Sequence, residues 1–185
     1  MSPDMSPIPG VIADTASARL SVAAPAGRLS LRARGDLGPL EAALGLSLPS
    51  RIGTRSLADG VEALRLGPDE WVILCPAARV PALVSACAGV YDALPHSLVD
   101  ISGRERTLVL DGPGAIDCLS FGAARDIAAI PVGEARRLNF DGLTVLLWRD
   151  AATGFRIDTW TSHAGHVAAL LKTAALETAF DLHAR

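Results

Sequence analysis

The chain contains little cysteine, one lysine and few aromatic residues, and it has no long hydrophobic run. Its three cysteines, Cys75, Cys87 and Cys118, are odd in number and follow no metal-binding spacing, which argues against a disulfide framework and a zinc motif. No stretch reaches the roughly 18 consecutive apolar residues that a membrane-spanning helix needs. The first ten residues hold three prolines and no signal-peptide core. We therefore expect a cytoplasmic protein with reduced, buried thiols and no membrane contact.

The net charge of -3 provides no broad basic field, so nucleic acid is not an expected partner. Of 17 basic residues only Lys172 is a lysine. The excess of arginine fits two interpretations: recognition surfaces, which favour the planar guanidinium, or codon bias in a GC-rich genome. Half of the residues are apolar, so the chain can bury a sizeable interior.

Short apolar segments separated by Gly, Pro and Asp turns predict an α+β fold with antiparallel sheets and packed helices. The central example is the stretch 96–119, in which two strand-like runs flank a polar turn and a helix follows the Asp-Gly-Pro-Gly sequence. A similar strand-strand-helix pattern covers 61–88, and a third begins at 135 with a hairpin at Asp141-Gly142. The third pattern continues as a strand over 155–160 and a helix after Ser162.

We expect residues 1–15 to form an extended arm, because this segment is rich in proline. We expect residues 16–185 to form a single α+β domain. Two similar lobes that share one core are the alternative. Further strands are predicted near 20–23 and 29–33, with a short helix over 40–44 that ends at Gly45. In the strand 155–160, alternation places Arg156, Asp158 and Trp160 on one face.

Three tryptophans and one arginine are the candidate interface residues: Trp71, Trp148, Trp160 and Arg104. Tryptophan and arginine are enriched among the residues that anchor protein interfaces. The alternative for the tryptophans is ordinary core packing. If a broad apolar face exists, the chain made alone should be poorly soluble.

Several other groups could carry chemistry, and each also has a structural explanation. His163 and His166 could face one metal, but no third ligand has a suitable spacing. Asp69 and Glu70 could form an acid-base pair or simply a turn. Asp100 could be a buried base or an outward strand residue, and Cys118 is expected to be a small core side chain.

The Gly112-Pro113-Gly114 sequence lies where a phosphate-binding turn could occur, but it lacks a third glycine at the required place. Pro113 also removes an amide that would face a phosphate. The residues themselves therefore assign no catalytic, cofactor-binding or metal-binding position.

Five stretches of the chain form a recognisable set: LGPDEW at 66–71, SLVDIS at 97–102, LDGPGA at 110–115, VLLWR at 145–149 and FRIDTWTS at 155–162. In order and at the expected spacing, over roughly residues 55–171, they resemble the gamma subunit of heterotetrameric sarcosine oxidase. That family is similar to the folate-binding domain of the glycine-cleavage aminomethyltransferase, which implies a small α+β fold of that type.

The resemblance implies a non-catalytic packing subunit of a complex that oxidatively demethylates sarcosine to glycine and passes the one-carbon unit to tetrahydrofolate. Its implied partners are the alpha, beta and delta subunits. It implies NAD and tetrahydrofolate binding on alpha, FAD and covalent FMN on beta, and zinc on delta, with no cofactor on this chain.

The resemblance also implies where a folate-dependent acid would lie. In aminomethyltransferases a carboxylate follows the hairpin that corresponds to Asp141-Gly142, whereas Leu143, Thr144 and Val145 follow it here. A free-standing folate-binding protein of the aminomethyltransferase type remains the alternative. Titration of the chain with folate separates the two hypotheses.

Overall fold

The computed structural model describes residues 8–183, which form two antiparallel sheets and four α-helices. The strands are β1 (Gly10–Asp14), β2 (Arg19–Val22), β3 (Gly27–Ala33), β4 (Arg55–Ala58), β5 (Val61–Gly67), β6 (Glu70–Cys75), β7 (His96–Asp100), β8 (Glu105–Asp111), β9 (Ala135–Phe140), β10 (Leu143–Arg149) and β11 (Gly154–Trp160). The helices are α1 (Gly38–Leu44), α2 (Val80–Ala88), α3 (Ala115–Ser120) and α4 (Thr161–His183).

The chain divides into two compact units, the first comprising residues 1–24 with 103–185 and the second residues 25–102. In the first unit the sheet order is β1-β2-β8-β11-β10-β9, and every pairing is antiparallel. Helix α4 buries Val167, Leu171 and Ala174 in the cluster that includes Leu108 and Ile157. The helical spacing of these apolar residues explains why α4 packs along one face of the sheet.

The second unit has the sheet order β4-β5-β6-β3-β7, also with only antiparallel pairs. Its cluster joins alternate residues of β3 and β6, such as Leu29, Leu31, Trp71 and Ile73, to the helices α1 and α2. Each unit thus has a hydrophobic cluster of its own.

The predicted α+β class is confirmed, as are the hairpins at 61–75 and 135–148 with the helices that follow them. The β9–β10 turn holds Asp141 and Gly142 at φ of 48° and 80°. A two-residue hairpin turn of type I′ requires positive φ at both positions, and the Asp-Gly pair supplies it.

The expected pairing within the stretch 96–111 is wrong. Strand β7 pairs with β3 in the second unit, whereas β8 pairs with β2 and β11 in the first. Strand β7 ends because the Asp100 carboxylate accepts hydrogen bonds from the backbone N–H (2.9 Å) and hydroxyl (2.5 Å) of Ser102. The turn therefore carries the chain from one sheet to the other, and Glu105 begins β8 opposite Trp160.

The proline-rich N-terminal segment contains a strand that the sequence did not predict. Residues 10–14 of the expected arm form β1, which pairs with β2 at the end of the first sheet. Residues 1–7 of that arm lie outside the described residues. Strand β4 was also missed, because four residues of mixed polarity carry almost no periodic signal. No helix in the described range 8–183 is both long and apolar enough to cross a membrane.

Candidate functional site

The three tryptophans differ sharply in exposure, which separates the interface candidates. Trp71 and Trp148 are 1% and 0% exposed, whereas Trp160 is 53% exposed. Trp71 lies in the cluster of the second unit and donates its indole N–H to the carbonyl of Pro49 over 3.0 Å. Because Trp71 and Trp148 are interior residues, their proposed role as surface anchors is corrected to core packing.

Trp160 forms an exposed surface with three other side chains. Its indole stacks on the imidazole of His163, with ring centroids 5.9 Å apart and planes within 7°. On the adjacent strand, Glu105 lies opposite Trp160 and pairs with Arg104, with 2.8 Å between the guanidinium and the carboxylate. We call Trp160, His163, Arg104 and Glu105 the Trp160 surface.

The backbone fixes this surface at the junction of β11 and α4. Thr161, the first residue of α4, donates its backbone N–H to the carbonyl of Arg104 over 2.9 Å. The Thr161 hydroxyl donates to the same carbonyl at 3.1 Å and to that of Gly103 at 3.0 Å. These hydrogen bonds join the start of β8 to the start of α4. The backbone that carries the rings of Trp160 and His163 is therefore fixed in position.

The same face of the sheet carries a buried carboxylate two residues before Trp160. Asp158 is 3% exposed and accepts hydrogen bonds from the indole N–H of Trp148 at 2.7 Å and from the Thr107 hydroxyl at 2.5 Å. The Arg156 guanidinium lies 4.5 Å from the centroid of the Trp148 ring. Asp158 therefore locks the register of β8, β10 and β11 through hydrogen bonds.

The two histidines of α4 do not converge on a metal. His163 stacks on Trp160, whereas His166 places Nε2 2.7 Å from a carboxylate oxygen of Asp141. Within residues 8–183, no group of three or more His, Cys, Asp or Glu side chains is arranged to hold a metal ion. The metal-site alternative for His163 and His166 therefore has no support in the described structure.

The Gly112-Pro113-Gly114 turn is a packing element. The Gly112 and Gly114 amides donate to the carbonyls of Thr153 (3.3 Å) and Ser17 (2.8 Å), so neither amide is directed at a ligand. A Cβ on Gly112 would lie 2.6 Å from the Ser17 carbonyl oxygen. These glycines permit close approach of two backbone segments, a role that does not need phosphate.

Asp69 and Glu70 lie at the β5–β6 turn and pair with arginines of the neighbouring strand region. Asp69 lies 2.9 Å from Arg34 and 3.1 Å from Arg32, and Glu70 lies 3.1 Å from Arg32. The hydrogen bond from Arg34, aided by the charges of both arginines, lowers the pKa of Asp69 despite some desolvation. An ionised turn residue of this kind is a poor proton acceptor.

Asp100 and Cys118 are structural residues as well. The hydrogen bonds from Ser102 lower the pKa of Asp100, which is exposed at the end of β7. Cys118 is buried, and its thiol lies 3.7 Å from the Thr178 hydroxyl. Burial raises the pKa of the Cys118 thiol, which disfavours the reactive thiolate.

Comparison with known proteins decides the family. The chain is 30% identical over 148 residues to the sarcosine oxidase subunit gamma of Corynebacterium sp. (strain U-96), a match that covers 76% of this chain and 71% of that subunit.

The chain belongs to the sarcosine oxidase gamma subunit family.

One solved structure agrees with this family assignment, and a second shows the same fold. A chain of the heterotetrameric sarcosine oxidase from Corynebacterium sp. U-96 matches with a TM-score of 0.81 at 28% identity, covering 91% of this chain and 89% of that chain. The aminomethyltransferase T of the glycine cleavage system from Bartonella henselae matches with a TM-score of 0.59 at 15% identity, covering 85% of this chain and 46% of that chain. The second likeness shows the fold alone and confirms the expected aminomethyltransferase-like architecture. No family model matches the chain.

The sequence did not predict that Asp158 of this gamma subunit accepts hydrogen bonds from Trp148 and Thr107. Alternation correctly grouped Arg156, Asp158 and Trp160, but it cannot show that Asp158 is buried and Trp160 exposed. The only signal was the spacing of Trp148 and Asp158 around the β10–β11 turn. Trp148 lies opposite Arg156, so Asp158 is its diagonal neighbour, which is within reach of a large aromatic side chain.

Proposed function

We propose that this chain is a non-catalytic gamma subunit of a heterotetrameric sarcosine oxidase, located in the cytoplasm and serving one-carbon metabolism. The observation that carries the proposal is the structural match to the Corynebacterium complex over nine-tenths of this chain at 28% identity. The chain packs against alpha, beta and delta subunits, on which the substrate site and the cofactors NAD, FAD, FMN, tetrahydrofolate and zinc are located.

The side chains that could have carried chemistry are held in contacts within the fold, which supports a packing role for this chain. Asp158 accepts from Trp148 and Thr107, and Asp69 is paired with two arginines. The cysteines are buried and have raised pKa values because of desolvation. Each of these groups thus serves the fold of its own unit.

The Trp160 surface is the region through which we expect this subunit to contact another. The exposed Trp160 presents a large apolar area. Because stacking on His163 already restricts its ring, Trp160 loses little side-chain entropy on binding. Arg104, which pairs with the Glu105 that lies opposite Trp160, has a side chain that is 49% exposed. Tryptophan flanked by arginine is the composition typical of binding hot spots.

Co-expression with the neighbouring subunits, followed by mass spectrometry of the purified assembly, tests the proposal. We expect all four subunits to co-purify, and Trp160→Ala to weaken retention of this chain roughly 30-fold, which corresponds to a hot-spot loss of about 2 kcal/mol. Phe121→Ala is the matched control, since Phe121 is 51% exposed and lies outside the Trp160 surface. Purification of this chain without any other subunit would contradict the proposal.

Folate titration of the isolated chain tests the competing aminomethyltransferase-like function. Under the proposed function, no saturable binding of tetrahydrofolate is expected. Saturable binding with turnover of an aminomethyl substrate would overturn the non-catalytic assignment.

A further inference from the structure

Three Asp-Gly sequences occur in the chain, beginning at Asp59, Asp111 and Asp141. Such a sequence can rearrange without an enzyme, because glycine has no side chain to obstruct the attack of its amide nitrogen on the preceding carboxyl. The attack requires an amide and a carboxyl that no other group holds, and a turn that can open. The structure distinguishes the three sequences on these points.

Asp59 and Gly60 form the tip of the β4–β5 hairpin, with φ of 47° and 75°. Both residues are exposed. Within residues 8–183, neither the Asp59 carboxylate nor the Gly60 amide has a hydrogen-bond partner. A Cβ on Gly60 would meet no atom within 4 Å, so the space beside the amide is open. Nothing in the described structure holds the two groups that would react.

Strand β4, which leads into this turn, offers little resistance to local opening. It is an edge strand of its sheet, it is four residues long, and none of its residues is buried. Segments with few buried contacts open at a low free-energy cost. Opening lets the peptide group between Asp59 and Gly60 rotate, which brings the Gly60 nitrogen toward Cγ of Asp59.

Arg79 makes the peptide group of this turn more reactive. Its guanidinium donates to the main-chain carbonyl of Asp59 over 2.5 Å. That carbonyl and the Gly60 nitrogen belong to one conjugated peptide group, so the negative charge left when the nitrogen loses its proton is shared with the oxygen. A cation that binds the oxygen stabilises this charge, as the donors of an oxyanion hole do.

The hairpin at Asp141-Gly142 has the same two residues and nearly the same φ angles, 48° and 80°, but its reacting groups are held. The Asp141 carboxylate lies 2.7 Å from Nε2 of His166. The Gly142 amide donates to the side-chain oxygen of Asn139 over 3.0 Å. Both contacts must break before the Gly142 nitrogen can attack Asp141.

The third sequence, Asp111-Gly112, is held as well. Thr153 donates its hydroxyl to the Asp111 carboxylate over 3.2 Å, and its carbonyl accepts the Gly112 amide over 3.3 Å. Backbone atoms of Ser17 and Ala18 lie against Gly112, so this segment cannot rotate without displacing them.

We propose that Asp59 is a site of spontaneous isomerisation to isoaspartate, promoted by Arg79. The Gly60 amide gives its proton to a base in solution, its nitrogen bonds to Cγ of Asp59, and a carboxyl oxygen leaves as water while a succinimide ring closes. Water then opens the ring. Addition at the former main-chain carbonyl gives isoaspartate, and addition at the former side-chain carbonyl restores aspartate.

The reaction changes the backbone without changing the mass of the chain. In isoaspartate the main chain runs through the former side chain and is one methylene longer, so residues 59 and 60 no longer fit a two-residue hairpin turn. The register of β4 against β5 depends on that turn. The inference does not depend on the proposed function.

Peptide analysis of the purified full chain, incubated at neutral pH, tests the proposal. Trypsin separates the three sequences into the peptides 56–65, 107–125 and 138–149. Isoaspartate is detected by a shift in retention at unchanged mass and by labelling with a protein isoaspartate methyltransferase. We expect it to accumulate in 56–65 about tenfold or more faster than in 138–149, since two further contacts must break at Asp141. Equal rates, or no isoaspartate at Asp59, would overturn the proposal.

Incubation of the same chain in urea separates the effect of the fold from that of the local sequence. Without the fold, Asp141 loses its contacts with His166 and Asn139, and Asp59 loses the contact with Arg79. The peptides 56–65 and 138–149 should then isomerise at similar rates. A preference for Asp59 that persists in urea would refute selection by the folded structure.

Variants of Arg79 test its role in the reaction. Arg79→Ala should slow isomerisation at Asp59 several-fold, and Arg79→Lys should restore part of the rate because lysine is also a cation. Arg55→Ala is the matched control, since it removes the ion pair with Glu62 in the same hairpin and leaves Arg79 in place. An unchanged or faster rate in Arg79→Ala, or equal slowing in Arg55→Ala, would exclude promotion by Arg79.

Discussion

The indole N–H of Trp148 lies 2.7 Å from the carboxylate of Asp158, and both side chains are almost completely buried. The two residues lie on neighbouring antiparallel strands, β10 and β11, and Thr107 on β8 donates to the other carboxylate oxygen. A buried carboxylate is tolerated only when donors surround it. Three neighbouring strands of the first sheet, β8, β11 and β10, are therefore cross-linked by one acidic residue.

Replacing Trp148 with Phe should lower the free energy of unfolding by about 1–3 kcal/mol, because the buried Asp158 carboxylate loses a donor. Guanidinium denaturation followed by far-UV circular dichroism measures the change. Trp160→Phe serves as the control and should shift stability by less than about 0.5 kcal/mol, since Trp160 is half-exposed. Equal losses in the two variants would show that the hydrogen bond to Asp158 contributes nothing.

The sequence predicted the elements that local signals define. The Asp141-Gly142 turn and the helix near Ser162 are set by local signals, and both were predicted correctly. The partners of β7 and β8 were not, since the choice between two sheets depends on residues far away in the chain. The hydrogen bonds of Asp158 were not predicted for the same reason, because Thr107 lies 51 positions away from the carboxylate to which it donates.

The sequence identified the candidate interface residues by their type, but it could not predict which of them are exposed. Trp71 and Trp160 both lie near the end of an apolar strand, yet one is 1% and the other 53% exposed. The difference arises because Trp71 lies on the face of its sheet that the helices cover. Which residues of a strand lie on that face depends on the register of the strand. Register depends on tertiary pairing, which a single sequence does not determine.

The glycines of the Asp-Gly-Pro-Gly turn should be far less replaceable than a glycine in open space such as Gly103. Gly112→Ala introduces a Cβ 2.6 Å from a backbone oxygen at a φ of 138°, so we expect a loss of about 2–4 kcal/mol. Gly103→Ala is the control, because its Cβ would meet no atom within 4 Å and its φ is not positive. Thermal unfolding of both variants makes the comparison, and a stable Gly112→Ala variant would contradict the packing role of the turn.

Removal of the Arg34 side chain should raise the pKa of Asp69 toward its ordinary value of 3.8, since the Arg34 hydrogen bond is the largest cause of the lowering. Because the folded-state pKa is depressed, this pair stabilises the fold above pH 3.8, and the contribution disappears as the pH falls through the lower folded value. Carboxyl carbon NMR titration of wild type and Arg34→Ala measures the shift.

Arg19→Ala provides the comparison for that titration, as Arg19 pairs with Asp14 and not with Asp69. The Asp69 titration curve should be unchanged in this variant. A pKa of Asp69 that does not rise in Arg34→Ala, or that rises equally in Arg19→Ala, would exclude Arg34 as the cause.

The three native thiols should resist labelling as long as the chain is folded. Cys75, Cys87 and Cys118 are buried, and desolvation raises the pKa of each thiol, so the thiolate that reacts with a disulfide reagent is scarce and inaccessible. We expect no rapid reaction with an aromatic disulfide reagent at neutral pH and three equivalents after denaturation. The Val99→Cys variant is the positive control, because its exposed position should add one equivalent at once. Rapid labelling of a native thiol would place that cysteine at an accessible, activated position and would remove the argument that the cysteines of this chain serve only its packing.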